Sequence, residues 1–540
     1  MRCEWPVSVP LAAETHYGRP MRCFAERPRS LFQMFAEAVG RAPGRMAVVG
    51  ERGRASWAEL DDAVGRVAGQ LARRGVIRGA RVAMLLGNGR PFLWTLWACA
   101  RLGAIAVPLG TRLKGMEIAH AINDSGAEIL IFDGELADAL PKPYETPMLR
   151  HRFADGEDIP GALPFDHLLA PVAAPPVEPV SEDDPAIILY TSGTTGRPKG
   201  AMLTGLGLVH SVLHYQYCLG LREAERALLA VPASHVTGLV ALLAVSARLA
   251  GTLILMKRFQ ARTFLDLAQR ERMTFTVLVP AMANLCLLEP AFTRTDLSAW
   301  RVCGYGGAPM PEATIAGLAR HLPGLALHNL YGATETTSPA TIMPPDGTAR
   351  RPDSVGLPVP LGRIRIVGED GLPVAPGAVG EIWIAGPMVV PGYWDAAEAT
   401  KANFCDGFWK SGDLGSVDAE GFVRVLDRKK DMINRAGYKI YSAEVENVLA
   451  HLPGVIESAV VGRTCPVLGE RVHVFVQADR DRSGRPVVDA GQVRAFCAER
   501  LADYKVPETV SFVDEPLPRN ANGKVVKTIL RRLAEEAAAT

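Results

Sequence analysis

Six short apolar runs, Arg81–Leu86, Ala127–Phe132, Ala186–Tyr190, Thr252–Met256, Thr274–Val279 and Leu325–Leu330, stand apart by segments long enough to form helices. Strands buried on both faces read as continuous apolar runs, and parallel neighbours need helical crossovers, so the pattern predicts a mainly parallel sheet in an α/β domain. Loops at the C-terminal ends of such strands are where chemistry is carried. Between the runs, Ser56 with Glu59 has the spacing of a capping box, and Leu60, Val64, Val67 and Leu71 recur at helical spacing up to Gly75.

A chain of 540 residues exceeds one core of ordinary size, so at least two domains are expected. Seven prolines between Pro160 and Pro185 predict an irregular surface connection rather than a boundary. The boundary is expected near Asp427–Lys430, giving domains 1–427 and 428–540, because a short α+β pattern follows. It comprises a helix from Ser442, an alternating strand through Val472, Val474 and Val476, and a helix near Val493–Tyr504. The Ala-rich end after Leu533 reads as a frayed helix.

Apolar residues make up 48% and charged residues 22%, a globular balance, and a formal net charge of +1 gives no overall basic field for nucleic acid or anionic lipid. Small-molecule chemistry is the better expectation. Met1–Phe24 lacks the unbroken apolar core of a secretory signal and reads as a surface arm. Leu239–Met256 is interrupted by Arg248 and Gly251 and reads as a buried helix followed by a strand, not a membrane span. Nine cysteines without Cys-x-x-Cys spacing fit reduced thiols in a cytoplasmic protein.

The most specific signal is Tyr190-Thr-Ser-Gly-Thr-Thr-Gly-Arg-Pro-Lys-Gly200, placed directly after a strand. Its glycines let backbone N–H groups approach phosphate oxygens, Thr191, Ser192, Thr194 and Thr195 add hydroxyls around Gly193 and Gly196, and Lys199 adds a positive charge. The loop departs from the NTPase P-loop, where glycine would precede the lysine and Ser or Thr follow it; Pro198 and Gly200 stand there instead.

With this loop the chain resembles the adenylate-forming superfamily of acyl-CoA synthetases, carrier-linked adenylation domains and luciferases, and later motifs fall in the same order. The resemblance implies a large domain of mainly parallel sheets with a distorted β-barrel subdomain, and a small mobile α+β domain. Gly306-Gly307-Ala308-Pro309 is similar to the family's adenine-facing loop. In Tyr331-Gly332-Ala-Thr334-Glu335-Thr336, Tyr331 is implied to stack near adenine, Thr334 to contact the α-phosphate and Glu335 to hold Mg²⁺. Read alone, Glu335 would be a solvated loop carboxylate. Trp409-Lys-Ser-Gly-Asp413 matches the ribose site, through Asp413. Asp427-Arg-Lys-Lys-Asp-Met-Ile-Asn-Arg-Ala-Gly437 resembles the hinge motif, with Arg428 near the nucleotide and Lys430 as pivot; otherwise it would be a solvated charge run. Lys439 is assigned to the nucleotide, Gly437 and Tyr438 to the pantetheine tunnel. Lys524, in Leu517-Pro-Arg-Asn-Ala-Asn-Gly-Lys524, is implied to be the catalytic lysine of adenylation.

The implied activity is that of an AMP-forming acyl-CoA synthetase. ATP and a carboxylic acid give an acyl-adenylate and diphosphate with Mg²⁺, and CoA then takes the acyl group. His235, in Val231-Pro-Ala-Ser-His-Val236-Thr237-Gly238, stands where fatty- and aryl-acid members carry histidine and amino-acid activators carry aspartate, so an amino-acid substrate is disfavoured. Gly304, Tyr305 and Leu330 complete the implied acyl wall. Gly304 opens it where Leu330 narrows it, and the reading leans to a hydrophobic monocarboxylate, aliphatic before aromatic, with chain length open. Aryl- or cinnamate-type CoA ligase, fatty acyl-AMP ligase loading a carrier protein, luciferase-like oxygenase and non-catalytic homologue are the rivals. Neither nucleic acid nor a membrane segment is expected. Homodimerisation is left open, and the spacing Pro518 to Lys524 resembles sites where an acetyltransferase and deacetylase act on bacterial acyl-CoA synthetases.

Overall fold

The computed structural model describes residues 5, 9–156, 158–191, 197–345, 347–481, 483–520 and 525–539. Its chain divides into two compact units, 1–364 with 383–410 and 419–423, and 365–382 with 411–418 and 424–540.

The first unit holds two mainly parallel sheets. One has seven strands in the order Lys199–Thr204, Pro185–Thr191, Ile105–Pro108, Arg81–Leu85, Ile129–Asp133, His151–Asp155 and Leu163–Pro164, of which only the pair 185–191/199–204 is antiparallel. The apolar runs fill its core: Ala83, Leu85, Ile105, Val107, Leu130 and Phe132 pack with Ile118 and Ile122. The second has nine strands and runs from Leu357–Pro358 through Thr341–Ile342, Ala326–Tyr331, Val302–Gly306, Phe275–Leu278, Arg226–Leu229, Thr252–Leu255 and Met46–Gly50 to Gly53–Ser56. All six predicted runs are strands, within one or two residues of the expected ends.

The helix Trp57–Ala72 starts as its sequence dictates. Glu59 N–H donates to Ser56 Oγ (3.2 Å) and Ser56 N–H donates back to Glu59 Oε2 (2.7 Å), which satisfies two end donors. Leu239–Met256 forms the buried helical stretch Thr237–Ala244 and Val245–Arg248, then the strand Thr252–Leu255. No helix among the described residues is long and apolar enough to cross a membrane. None of the eight described cysteines is in a disulfide.

The expected surface arm is different. Leu11–His16 and Arg19–Phe24 form a hairpin that docks through its charges and its last ring. The Tyr17 hydroxyl lies 2.6 Å from Thr204 Oγ1, His16 Nδ1 lies 2.7 Å from Asp183, and Arg27, buried, bridges Glu14 and Glu182. Phe24 is buried on Val209 and Leu213. A dispersed set of polar contacts leaves no periodic apolar signal, so the sequence hides it.

A five-stranded sheet, the half-barrel, is made by Arg363–Val367, Gly380–Ala385, Phe408–Val417, Phe404–Cys405 and Val423–Arg428. The C-terminal segment carries its own sheet, Tyr438–Ile440, Ile433–Arg435, Gly469–Ala478 and Val455–Cys465, with Thr509–Val513 parallel to Gly469–Ala478. Val472, Val474 and Val476 alternate inwards onto Val445 and Leu449 of the helix Ser442–Leu449 and Val493 of the helix Ala490–Ala498. That last helix is shorter than the expected Val493–Tyr504, and a separate turn, Asp503–Lys505, follows it.

Candidate active site

In the first unit, the candidate residues gather at strand C-termini. Thr191 ends the strand Pro185–Thr191 and pairs across the hairpin with Lys199, so the two flank the phosphate-loop sequence. Ser192, Gly193, Thr194, Thr195 and Gly196 lie outside the described residues, as does Lys524. Gly200 has a packing reason to lack a side chain: a Cβ there would lie 2.6 Å from Ile188 and 3.3 Å from the Tyr190 ring.

Val302–Gly306 runs into Gly307, whose φ of +83° favours glycine, and then into exposed Ala308 and Pro309. Its parallel neighbour Ala326–Tyr331 runs through Gly332 into the single turn Thr334–Thr336. Glu335, 8% exposed, thereby comes to Thr191, whose Oγ1 donates to Glu335 Oε1 at 3.4 Å. The Tyr393 hydroxyl donates to the same oxygen at 2.9 Å. Burial and the neighbouring Glu335 charge push the Tyr393 pKa well above the usual phenol range, so it stays a donor. Lys199 Nζ sits 5.3 Å from the Tyr393 ring centroid, within cation–π range. Tyr393 is not among the candidates of the sequence analysis, since Pro391-Gly-Tyr-Trp394 carries no motif signal of its own. Its backbone is fixed locally, since Tyr393 N–H donates to Thr400 Oγ1 (2.9 Å) and Trp394 N–H to the Gly200 carbonyl (2.7 Å).

A carboxylate is a hard oxygen ligand of the kind that suits Mg²⁺, and the two hydroxyls that donate to its Oε1 fix its orientation. Glu335 is thus fit to hold that ion, with Tyr393 orienting it.

His235 and Val236 precede the helical segment Thr237–Ala244, and Leu239 N–H donates to the His235 carbonyl (2.9 Å). The loop before it is clamped by a second missed residue, Asn88. Its Nδ2 donates to the carbonyls of Val231 (3.0 Å) and Met256 (3.0 Å), and its Oδ1 accepts from Ala233 N–H (2.7 Å). Gly238 follows because a Cβ there would collide with the Pro232 carbonyl.

Gly304 and Leu330 are brought together. A Cβ on Gly304 would lie 2.5 Å from Leu330 Cδ1 and 3.2 Å from Val277 Cγ2, so the Leu330 side chain fills the volume that Gly304 leaves open. Tyr305 is not brought to them. Successive strand residues face opposite sides, and its ring packs in the core with Cys303, Leu278 and Ile315.

In the second unit, Asp413 and Arg428 are paired, with Arg428 Nε 2.8 Å from Asp413 Oδ1. Gly412 before them has φ +69° and its carbonyl accepts from Lys429 N–H. Lys430 is exposed in the turn after Val423–Arg428, and its carbonyl accepts from Arg531 Nη2 (2.9 Å), which also bridges Asp431 (2.7 Å). Ala436 (φ +51°) and Gly437 (φ +89°) make the two-residue hairpin turn between Ile433–Arg435 and Tyr438–Ile440, where both central residues need positive φ. Tyr438, 57% exposed, stacks on Tyr504 at 4.5 Å, and Lys439 bridges Glu369 at 2.5 Å, a contact that raises the lysine pKa.

The fold agrees with that of the proteins this chain resembles. The AMP-binding enzyme family model matches residues 35–394, and the AMP-binding enzyme C-terminal domain matches 444–524. A feruloyl-CoA synthase of Amycolatopsis sp is 39% identical over 479 residues, 88% of this chain and 93% of its own. The long-chain-fatty-acid–CoA ligase FadD13 of Mycobacterium tuberculosis is 33% identical over 88% of this chain and 93% of its own. The solved o-succinylbenzoate CoA synthetase (MenE) of Bacillus subtilis, in complex with its acyl-adenylate intermediate, is alike with a TM-score of 0.83 and 31% identity, over 94% of this chain and 98% of that one. A buried Glu335 bracketed by Thr191 and Tyr393, within a chain matched over most of its length, makes this protein a member of the AMP-binding enzyme family and, within it, an AMP-forming acid–thiol ligase that uses ATP, Mg²⁺ and CoA.

Proposed function

We propose that the acid this ligase activates is a compact hydrophobic monocarboxylate, aryl before aliphatic. The observation that carries the proposal is Leu330 lying in the space left by Gly304. An acyl pocket stopped there would suit a flat ring better than a long methylene chain. The greater identity to a feruloyl-CoA synthase than to a long-chain ligase supports the same order.

The assigned roles follow from charge. A carboxylate that attacks the α-phosphate meets an anion, so the reaction needs positive charge and donors where oxygens gain charge. Thr191 and Lys199 flank the phosphate loop, Thr334 would meet the α-phosphate, and Lys524 would follow charge onto the bridging oxygen. Mg²⁺, when bound, neutralises phosphate oxygens, and Glu335 would hold it. Asp413 would accept hydrogen bonds from the ribose hydroxyls, one oxygen being shared with Arg428. Gly307, Ala308, Pro309 and Tyr331 would enclose the adenine, and Gly437 and Tyr438 the pantetheine. The division at 427/428 with Lys430 as pivot belongs to the same proposal.

The test is pyrophosphate release across cinnamate-type, arylacetic and linear acids from hexanoate to palmitate, with and without CoA. Aryl acids should give the highest kcat/KM, with acyl-CoA formed in the presence of CoA. A maximum at palmitate would overturn the order, and product transfer only to a carrier protein would assign the chain to the acyl-AMP ligases.

A further inference from the structure

Three parallel strands begin next to one another: Arg226 opens Arg226–Leu229, Thr274 precedes Phe275–Leu278, and Arg301 precedes Val302–Gly306. Their N-terminal ends face a pocket of about 610 Å³ whose lining includes Arg54, Arg226, Arg270, Arg272 and Arg301 together with the carboxylate of Glu271. The candidate active-site residues of Val302–Gly306 and Ala326–Tyr331 lie at the other ends of the strands. Arg301 to Gly307 spans six residue steps, roughly 20 Å at about 3.3 Å per residue.

The arginines exceed the carboxylates that serve them. Glu271, almost wholly buried, bridges Arg54 (2.6 Å), Arg226 (3.0 Å) and Arg270 (3.3 Å). Glu225, also buried, bridges Arg301 and accepts from the Thr274 hydroxyl. At the rim, Asp296 feels the charge of Arg272 and accepts from Ser298 N–H (3.0 Å). Five guanidiniums against three carboxylates leave an excess of two positive charges. Burial, set against the Glu271 carboxylate and added to by the nearby Arg54 charge, holds the Arg226 pKa below the ordinary guanidinium range.

Arg272 adds an independent observation. It follows the C-cap of the helix Ala261–Arg270 with φ +47°, where Arg272 N–H donates to Gln269 O (3.1 Å) and Met273 N–H to Ala268 O (2.9 Å). Glycine is the ordinary residue at such a helix end, and a side chain there costs about 1 kcal/mol. The Arg272 guanidinium is exposed and makes no hydrogen bond or ion pair among the described residues, which leaves it open to a ligand.

We infer that this pocket binds a small soluble metabolite bearing phosphate groups with at least two negative charges, at a site separate from the substrate nucleotide. Guanidinium forks match phosphate oxygens two at a time, and the unpaired Arg272 fork, beside four arginines that share two buried carboxylates, suits a diphosphate or larger group. A lipid headgroup shares that chemistry. None of the exposed large apolar side chains lines the pocket, however, so it lacks the apolar contact that an interfacial site uses.

The probe is inorganic pyrophosphate, and the readout is arginine modification by phenylglyoxal in the full-length enzyme, resolved by peptide mass spectrometry. The peptides separate this pocket from the catalytic phosphate loop, where pyrophosphate also binds. At a concentration about ten times Kd, modification of Arg270, Arg272 and Arg301 should slow about tenfold. In the doubly substituted Arg270→Gln/Arg272→Gln enzyme, protection of Arg301 should be lost while the initial rate of acyl-CoA formation at saturating substrates is unchanged. Modification that pyrophosphate leaves unaltered overturns the proposal, as does protection by phosphatidylglycerol vesicles alone or protection of Arg301 that survives the double substitution.

Discussion

The Tyr393 hydroxyl lies 2.9 Å from Oε1 of Glu335 and donates to it, across 58 residues of sequence. A hydrogen bond to a charged group contributes about 1.5–3 kcal/mol. Tyr393→Phe leaves the carboxylate less firmly oriented, so kcat/KM for pyrophosphate release should fall about tenfold to a hundredfold and the half-saturating Mg²⁺ concentration should rise. Initial rates over a Mg²⁺ series check this; an unchanged Mg²⁺ dependence would remove Tyr393 from the role.

Leu330→Gly reopens the volume beside Gly304. Each added methylene that finds burial there contributes roughly 0.8 kcal/mol, about a fourfold gain in kcat/KM per carbon until the pocket ends. The rank order across linear acids should move to longer chains, and aryl acids should lose their lead. An unaltered rank order would put Leu330 outside the acyl pocket.

Lys524→Ala should slow adenylation by about 10²- to 10³-fold, the usual cost of one preorganised charge, with thioester formation from supplied acyl-adenylate far less affected. Acetylation of Lys524 should act likewise, because it removes the same charge, and a deacetylase should restore the rate. Half-reaction assays on the variant, and on enzyme treated with an acetyltransferase and acetyl-CoA, separate the two steps. Equal loss in both steps argues against the assignment.

Lys430 is exposed, and its carbonyl accepts from Arg531. If the backbone must turn here between half-reactions, Lys430→Pro, which fixes φ near −65°, should preserve acyl-adenylate formation and abolish transfer to CoA. Single-turnover measurement of acyl-AMP and acyl-CoA decides, and normal overall turnover rules out this pivot.

Stability should fall on acidification. Burial lowers the His210 pKa to about 3 and that of His473 to about 4. A histidine depressed in the folded state contributes stability above its unfolded pKa of about 6.5 and loses it as pH falls towards the folded value. For His210 that loss is about 2 kcal/mol by about pH 5. Phe24 N–H donates to its Nε2 (3.3 Å), so protonation there also breaks a buried hydrogen bond. His210→Gln keeps an acceptor without a proton to gain; its urea midpoint should change less between about pH 7 and about pH 5 than that of the unsubstituted chain.

The strands, the capped helix and the motifs that carry the family resemblance were legible in the amino-acid order alone. Buried parallel strands must be runs such as Thr252–Leu255, and a capped helix must open like Ser56–Glu59. Each is a local requirement, written in a few adjacent residues. Packing between distant elements alone sets that Leu330 occupies the space of Gly304, that Tyr305 faces the core, that Asn88 clamps the loop before His235, that Tyr393 reaches Glu335, and that residues 11–24 form a docked hairpin. These depend on which side chains meet when distant elements pack. A strand's two faces, or the two hydroxyls beside one carboxylate, are set by that packing and leave no periodic mark in the sequence.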